Sequence, residues 1–192
     1  MHLEGLFFII GLLGDFELQE GDFFMANEIL FKRVTTKEEA EAFHRVKQLV
    51  WEESGYDMEY GREGSDLYIA YINGVPGGTV EFTPYLEFSR PLIRNLFDDV
   101  VRDDMKVMEL DSFAVLPEYR RKLVGHEIVR FMIYYAQTHG YTHGVAITAP
   151  KVFKSLNDTY HIRCEKVKDP FWYKGDEVIP ALMHLKEVYD HL

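Results

Sequence analysis

Between Val107 and Thr138 the hydrophobic period of this chain changes once. Val107 to Val115, VMELDSFAV, reads as a strand. Val124 to Thr138 repeats apolar residues at helical spacing, with Ile128, Phe131, Met132 and Tyr135 on one face and Gly140 just past the end. Only LPEYRRKL separates the two. A strand handed so directly to a helix commits the chain to layers of sheet and helix. It also aims unpaired backbone N–H groups and the positive end of a helix dipole at one point, which makes an anion site before any side chain is counted.

The flanking segments extend the same alternation. Glu28 to Arg33 reads as a short strand, and Thr36-Lys-Glu-Glu39 is a capping box opening a helix to about Ser54, with Phe43, Val46 and Val50 on its inner face. SGYDMEYGREG is a loop. Asp66–Ile72, the turn Asn73-Gly74 and Gly78–Thr83 form a hairpin. Ser89-Arg90-Pro91 starts a second helix with Leu92, Leu96 and Val100 on one face and the cap at Ser89. After the long helix come a strand at Gly144–Thr148, a short helix at Pro150–Tyr160, and strands at Arg163–Lys168 and Val178–Val188. The expected class is α/β (or α+β): one domain built on a mixed central sheet flanked by helices.

Size and charge narrow the function. A chain of 192 residues with 47% hydrophobic residues can bury a full core and is not a disordered chain. A net charge of −11 argues against nucleic acid, whose phosphates need a basic face, and suits cationic or amine partners. The single cysteine, Cys164, excludes a disulfide framework and fits a reducing, cytoplasmic compartment. His139 and His143 are four apart, but Gly140 and Tyr141 break the helix between them, so no metal is expected.

The first twenty-four residues differ from the rest. The apolar run Leu6–Leu13 is too short to span a bilayer, and no Lys or Arg precedes Lys32, so it is neither a membrane span nor a secretory signal. Five acids fall there, leaving −6 for the remainder. Gln19-Glu20-Gly21 back-translates to a purine-rich ribosome-binding sequence shortly before the codon of Met25. Residues 1–24 are therefore expected to be a non-functional extension from a misassigned start, and 25–192 the single domain; a short docking helix is the other reading of this segment.

At the turn, Arg120, Arg121 and Lys122 add full charges and Gly125 admits close approach of a ligand, so a diphosphate is the natural occupant. Taken alone, the cations would also fit a solvated basic turn. The segment Phe113-Ala-Val-Leu-Pro-Glu-Tyr-Arg-Arg-Lys-Leu-Val-Gly125 resembles the cofactor motif of the GNAT superfamily of N-acetyltransferases. The resemblance implies that the backbone of Phe113, Ala114 and Val115 meets the pantetheine arm of acetyl-CoA or another acyl-CoA. It likewise implies that Arg120, Arg121, Lys122, Leu123, Val124 and Gly125 hold the pyrophosphate, with His126 beside it. One departure is plain: Leu123 stands at the first glycine of the family's Arg-x-x-Gly-x-Gly.

A narrower resemblance is to the acyl-homoserine-lactone synthases, which share this fold, through PGGTVEFTPYLEFSRPLIRNLF, MELDSFAV and DPFWYKGDEVIPALMHL. Arg45 matches an early arginine of that group, but Glu81 and Ser112 stand where two others belong. That implies a relative with a different substrate.

Acyl transfer from a thioester to an amine needs a base, an oxyanion donor and a proton for the leaving thiolate. Glu109 and Asp111 lie two apart on one strand and are expected to share a face. Glu109, which matches a strand glutamate of the lactone synthases, is the first candidate for base or amine positioning; a buried structural carboxylate is the alternative. The resemblance places a general-acid tyrosine after the short helix, where Tyr160 is the candidate and Asn157 sits nearer the usual spacing. Trp51, Tyr56 and Tyr60 are candidates to wall an acceptor pocket. The expected activity is N-acyl transfer, in particular N-acetyl transfer, to a small-molecule amine. A signal synthase using S-adenosylmethionine and a non-catalytic acyl-CoA-binding module are the competing readings. A homodimer is compatible with all three, and neither nucleic acid nor membrane is an expected partner.

Overall fold

The computed structural model describes residues 23–26, 29–120 and 124–190, and within that range the chain forms two compact units. The first comprises the described residues up to Phe82 together with Leu110–Phe131, and the second comprises Thr83–Glu109 and the chain from Met132 onward.

In the first unit, β1 (Phe23–Ala26), β2 (Ile29–Arg33), β3 (Asp66–Ile72) and β4 (Val75–Pro84, as far as Phe82) form an antiparallel meander that continues to β5 (Val107–Val115, from Leu110). Asn73 and Gly74 both have positive φ, 51° and 79°, the type I′ geometry that matches strand twist in a two-residue hairpin. Helix α1 (Lys37–Ser54) starts as the capping box requires: the Thr36 hydroxyl accepts from Glu39 N–H, and the Glu39 carboxylate accepts from Thr36 N–H. It ends at Gly55 in the left-handed region, φ 75°. Phe43 and Val46 are buried, as their spacing predicts, and so is Lys47. Phe31 stacks on Phe131 at 4.5 Å between centroids, with Tyr68 and Phe82 also against Phe131, so an aromatic cluster anchors the first half of α4 (Val124–His139) within this unit.

In the second unit, β5 (Val107–Glu109) pairs in parallel with β6 (His143–Thr148), and β6 pairs antiparallel with β9 (Asp176–His184), which also takes β7 (Cys164–Lys166) and β8 (Phe171–Tyr173). The short helices α2 (Tyr85–Phe88) and α3 (Pro91–Phe97) contribute Tyr85, Ile93 and Phe97 to a core with Met105, Val107, Val145 and Leu182. Helix α5 (Pro150–Asp158) precedes β7, and α6 (Leu185–Tyr189) follows β9.

Several expectations are corrected. Ser89 does not cap α3; Arg90 occupies that position without a side-chain cap, because the Ser89 hydroxyl bonds a buried carboxylate instead. The buried stripe of α3 is Ile93 and Phe97, with Leu96 and Val100 packed partly against the core and Leu92 exposed. The final strand stops at His184 rather than Val188, since Leu185 and Val188, three apart, are buried together by one helical turn. Strands β1 and β8 were not expected. β1 straddles Met25, the expected start of the domain, while residues 1–22 and Glu28 lie outside the described residues.

Candidate functional site

The first unit carries the strand–turn–helix. Phe113 is exposed while Ala114 and Val115 are buried, and the chain then forms a 3-10 turn, Pro117–Tyr119. β4 runs close alongside: Leu116 N–H donates to Gly77 O at 3.0 Å, and a Cβ on Gly78 would lie 3.1 Å from Ala114 O. That approach is one only glycine makes without a shift.

Arg120 is held from two sides. Its Nε donates to Val115 O at 3.0 Å, and its terminal nitrogens pair with the Glu53 carboxylate of α1 at 3.2 and 2.5 Å. Arg121, Lys122 and Leu123 lie outside the described residues. Val124 is buried, and Gly125 faces room: among the described residues a Cβ there meets only Phe113 Cζ, at 4.0 Å. Desolvation lowers the pKa of the half-buried His126, which keeps its imidazole neutral. Glu127 and Arg130, both buried, pair at 3.1 Å one turn on. An N-terminal helical turn with an open glycine beside an exposed phenylalanine fits a diphosphate and a slender arm.

One residue before Phe113, the strand is irregular. Ser112 has φ 56°, the left-handed region, in the middle of β5. Its hydroxyl accepts from Lys47 Nζ and donates to Glu81 Oε2, both at 2.7 Å. Its N–H donates to Asp111 Oδ1 at 2.5 Å, and its carbonyl accepts from Thr79 Oγ1 at 2.7 Å. Arg62, from the loop after α1, donates through Nε to Glu81 Oε1 at 3.2 Å and approaches Asp111 at 3.7 Å. Lys47, Arg62, Glu81 and Asp111 thus form a charge-balanced group around one serine. Lys47 Nζ also sits 4.1 Å from the centroid of the Trp51 ring, which packs edge-on against Tyr56. Tyr60 is largely exposed, its ring against His44. Arg45, the residue suggested by resemblance, is exposed on the outer face of α1. Lys47 is the cation turned inward, and its spacing from Phe43 was the available signal.

The second unit carries Glu109 and Tyr160. Glu109 is 1% exposed and accepts from Ser89 Oγ at 2.6 Å. Asp111, in the first unit, accepts from Ser112 N–H at 2.5 Å and lies 3.7 Å from Arg62 Nη2. Tyr160 is half-buried after α5, and desolvation raises its phenol pKa, so it remains protonated at neutral pH. Asn157 is occupied structurally: its amide donates to Phe153 O and accepts from Cys164 N–H.

Residues 34–159 match the sequence profile of the acetyltransferase (GNAT) family, so the chain belongs to that family and is an acyltransferase. No curated protein matches it in sequence. Among solved structures, it is similar to FeeM, an N-acyl amino acid synthase from uncultured soil microbes, with 13% identity, a TM-score of 0.65, and coverage of 85% of this chain and 94% of that one. A putative N-acetyltransferase from Lactobacillus plantarum aligns with 16% identity and a TM-score of 0.62 over 83% of this chain and 99% of that one. The acyl-homoserine-lactone (AHL) synthase LasI aligns with 13% identity and a TM-score of 0.64 over 82% and 89%. At these identities the likeness is one of fold. Among the described residues no helix is long and apolar enough to cross a membrane, and no cluster of three or more metal-ligating side chains occurs.

Proposed function

We propose that this chain is an acyl-CoA-dependent N-acyltransferase that moves an acetyl or longer acyl group to the amine of a small molecule. The observation that carries the reading is Gly125 at the head of α4, where among the described residues an added Cβ would meet only Phe113 Cζ, at 4.0 Å. In this reading the backbone of Phe113, Ala114 and Val115 pairs with the pantetheine arm. Arg120 to Gly125 hold the pyrophosphate, flanked by His126. Coenzyme A supplies the activated acyl group as a thioester. Glu109 orients the acceptor amine or takes its proton, with its carboxylate fixed by Ser89. The amine nitrogen attacks the thioester carbon, the C–S bond breaks, and Tyr160 gives the leaving sulfur its proton; the raised pKa keeps that proton available.

The fold shared with LasI favours one competitor, a lactone-type synthase using S-adenosylmethionine. Against it, Lys47 and Arg62 are already matched by Glu81 and Asp111, which leaves no net positive charge for a substrate carboxylate. Thermal shift on the full chain with acetyl-CoA, a longer acyl-CoA and S-adenosylmethionine separates the readings. A ligand at a hundredfold excess over Kd stabilises by about 2.7 kcal/mol, roughly 5–10 °C for a chain of this size. Stabilisation by both acyl-CoAs and not by S-adenosylmethionine is expected. A shift with S-adenosylmethionine overturns the preference, and none with any coenzyme A species overturns the acyl-CoA reading.

A further inference from the structure

We propose that Lys47 is a positioning residue for the acyl-CoA strand, acting through Ser112 to hold the left-handed turn of β5 that sets the direction of Phe113–Val115. The inference rests on the reading of Phe113–Val115 as the cofactor strand.

A serine in the left-handed region inside a strand is strained, because its Cβ crowds the following carbonyl. Such residues persist where their surroundings over-determine them. Ser112 is tied at all of its polar atoms by side chains: its N–H by Asp111, its carbonyl by Thr79, and its hydroxyl by Lys47 and Glu81. Three of those partners, Thr79, Glu81 and Lys47, are 0–1% exposed. A serine hydroxyl has one proton and two lone pairs, so accepting from an ammonium while donating to a carboxylate fixes its rotor and its χ1 together. An ordinary strand residue at 112 would need none of these partners. A buried lysine–glutamate group is also weak support for stability, since desolvation offsets the attraction. Its specific product here is one backbone geometry at one position.

That position matters because the far end of the same segment is fixed too. Val115 O accepts from Arg120 Nε. The three residues between the Ser112 clasp and the Arg120 contact therefore have both ends set by side chains, with Lys47 at the root of the first. Changing the dihedrals of Ser112 re-aims every peptide group that follows, including those assigned to the pantetheine arm.

The test is calorimetric titration of acetyl-CoA into the full chain and its Lys47→Met, Ser112→Ala and Ser112→Gly variants, with the unfolding midpoint of each recorded. Alanine keeps the strain and removes the clasp, so Ser112→Ala and Lys47→Met are expected to weaken binding at least about tenfold. Glycine adopts positive φ without strain, so Ser112→Gly is expected to lie between alanine and the wild type. If Lys47→Met fails to fold, the order of the two Ser112 variants decides. Wild-type affinity in Ser112→Ala with a lowered midpoint shows a purely structural clasp and overturns this proposal alone. A wild-type chain that binds no acyl-CoA overturns the functional reading and this proposal together.

Discussion

Gly125→Ala is expected to make this protein more stable and worse at binding its cosubstrate. Gly125 lies in the first turn of α4, and a Cβ built there meets Phe113 Cζ at 4.0 Å, an ordinary contact. Among the described residues the added methyl therefore makes only an ordinary van der Waals contact. It removes the conformational freedom glycine gives the unfolded chain, which is worth up to about 0.5–1 kcal/mol in a helix interior. For a protein of this size that raises Tm by roughly 1–4 °C. If a diphosphate accepts from the N–H groups of this turn, the same methyl stands between the helix and its oxygens. Hydrogen bonds to a charged group contribute about 1.5–3 kcal/mol each, so loss of even one weakens acetyl-CoA at least about tenfold.

Two measurements of opposite sign come from one atom group. Differential scanning calorimetry reads the first and isothermal titration with acetyl-CoA the second. A variant with raised Tm and undiminished affinity refutes the assignment, because the ligand then never approaches Gly125. A variant with lowered Tm refutes the packing argument instead.

Glu53→Gln frees Arg120 from an exposed ion pair, so coenzyme A affinity measured by titration is expected to rise about threefold or more, while stability changes by less than about 1 kcal/mol; unchanged affinity would place Arg120 outside the diphosphate site. Glu109→Gln is expected to lower turnover by roughly 10²–10⁴ with acyl-CoA affinity intact; equal activity removes the carboxylate from the chemistry. The Glu39 carboxyl is held at about 2, chiefly by a hydrogen bond from Lys32 and then by Thr35 N–H, against an ordinary value of 4.5. Its folded pKa is depressed, so its stabilisation is present above pH 4.5 and lost as the pH falls towards about 2. The difference in urea midpoint between wild type and Glu39→Gln should therefore shrink between pH 6 and pH 2.5; a constant difference would contradict the pairing.

The elements that sequence reasoning placed correctly are those written in local chemistry. The Thr36–Glu39 box, the Asn73-Gly74 turn and the 3.6-residue period of α4 each need only neighbours in the chain to act, and all three appear where their residues predict. Ser89 shows the limit of that logic. Its position before Arg90-Pro91 suits a cap, but its hydroxyl has a competing acceptor twenty residues away in Glu109, buried and in need of a donor. A buried carboxylate outbids a terminal N–H that can reach water. Strand β8 and the end of β9 were missed for a related reason: three-residue strands have too little alternation to read, and the single turn of α6 is fixed by burial of Leu185 and Val188.

The site follows the same division. Phe113–Val115 was legible as the end of a strand and Val124 as the head of a helix, because both follow from local periodicity. Glu81 and Ser112 were visible only as departures, two places without an arginine. The Ser112 hydroxyl is bonded by a lysine 65 residues away, on a helix face where a cation looks like an error in the apolar stripe. Lys47 and Glu81 meet through the serine between them, which holds a φ of 56°. A sequence states the identity of each of these residues but not the hydrogen bond that joins them. The readable part of this enzyme is therefore the part proposed for the cofactor, and the hidden part is the hydrogen-bonded group around Ser112.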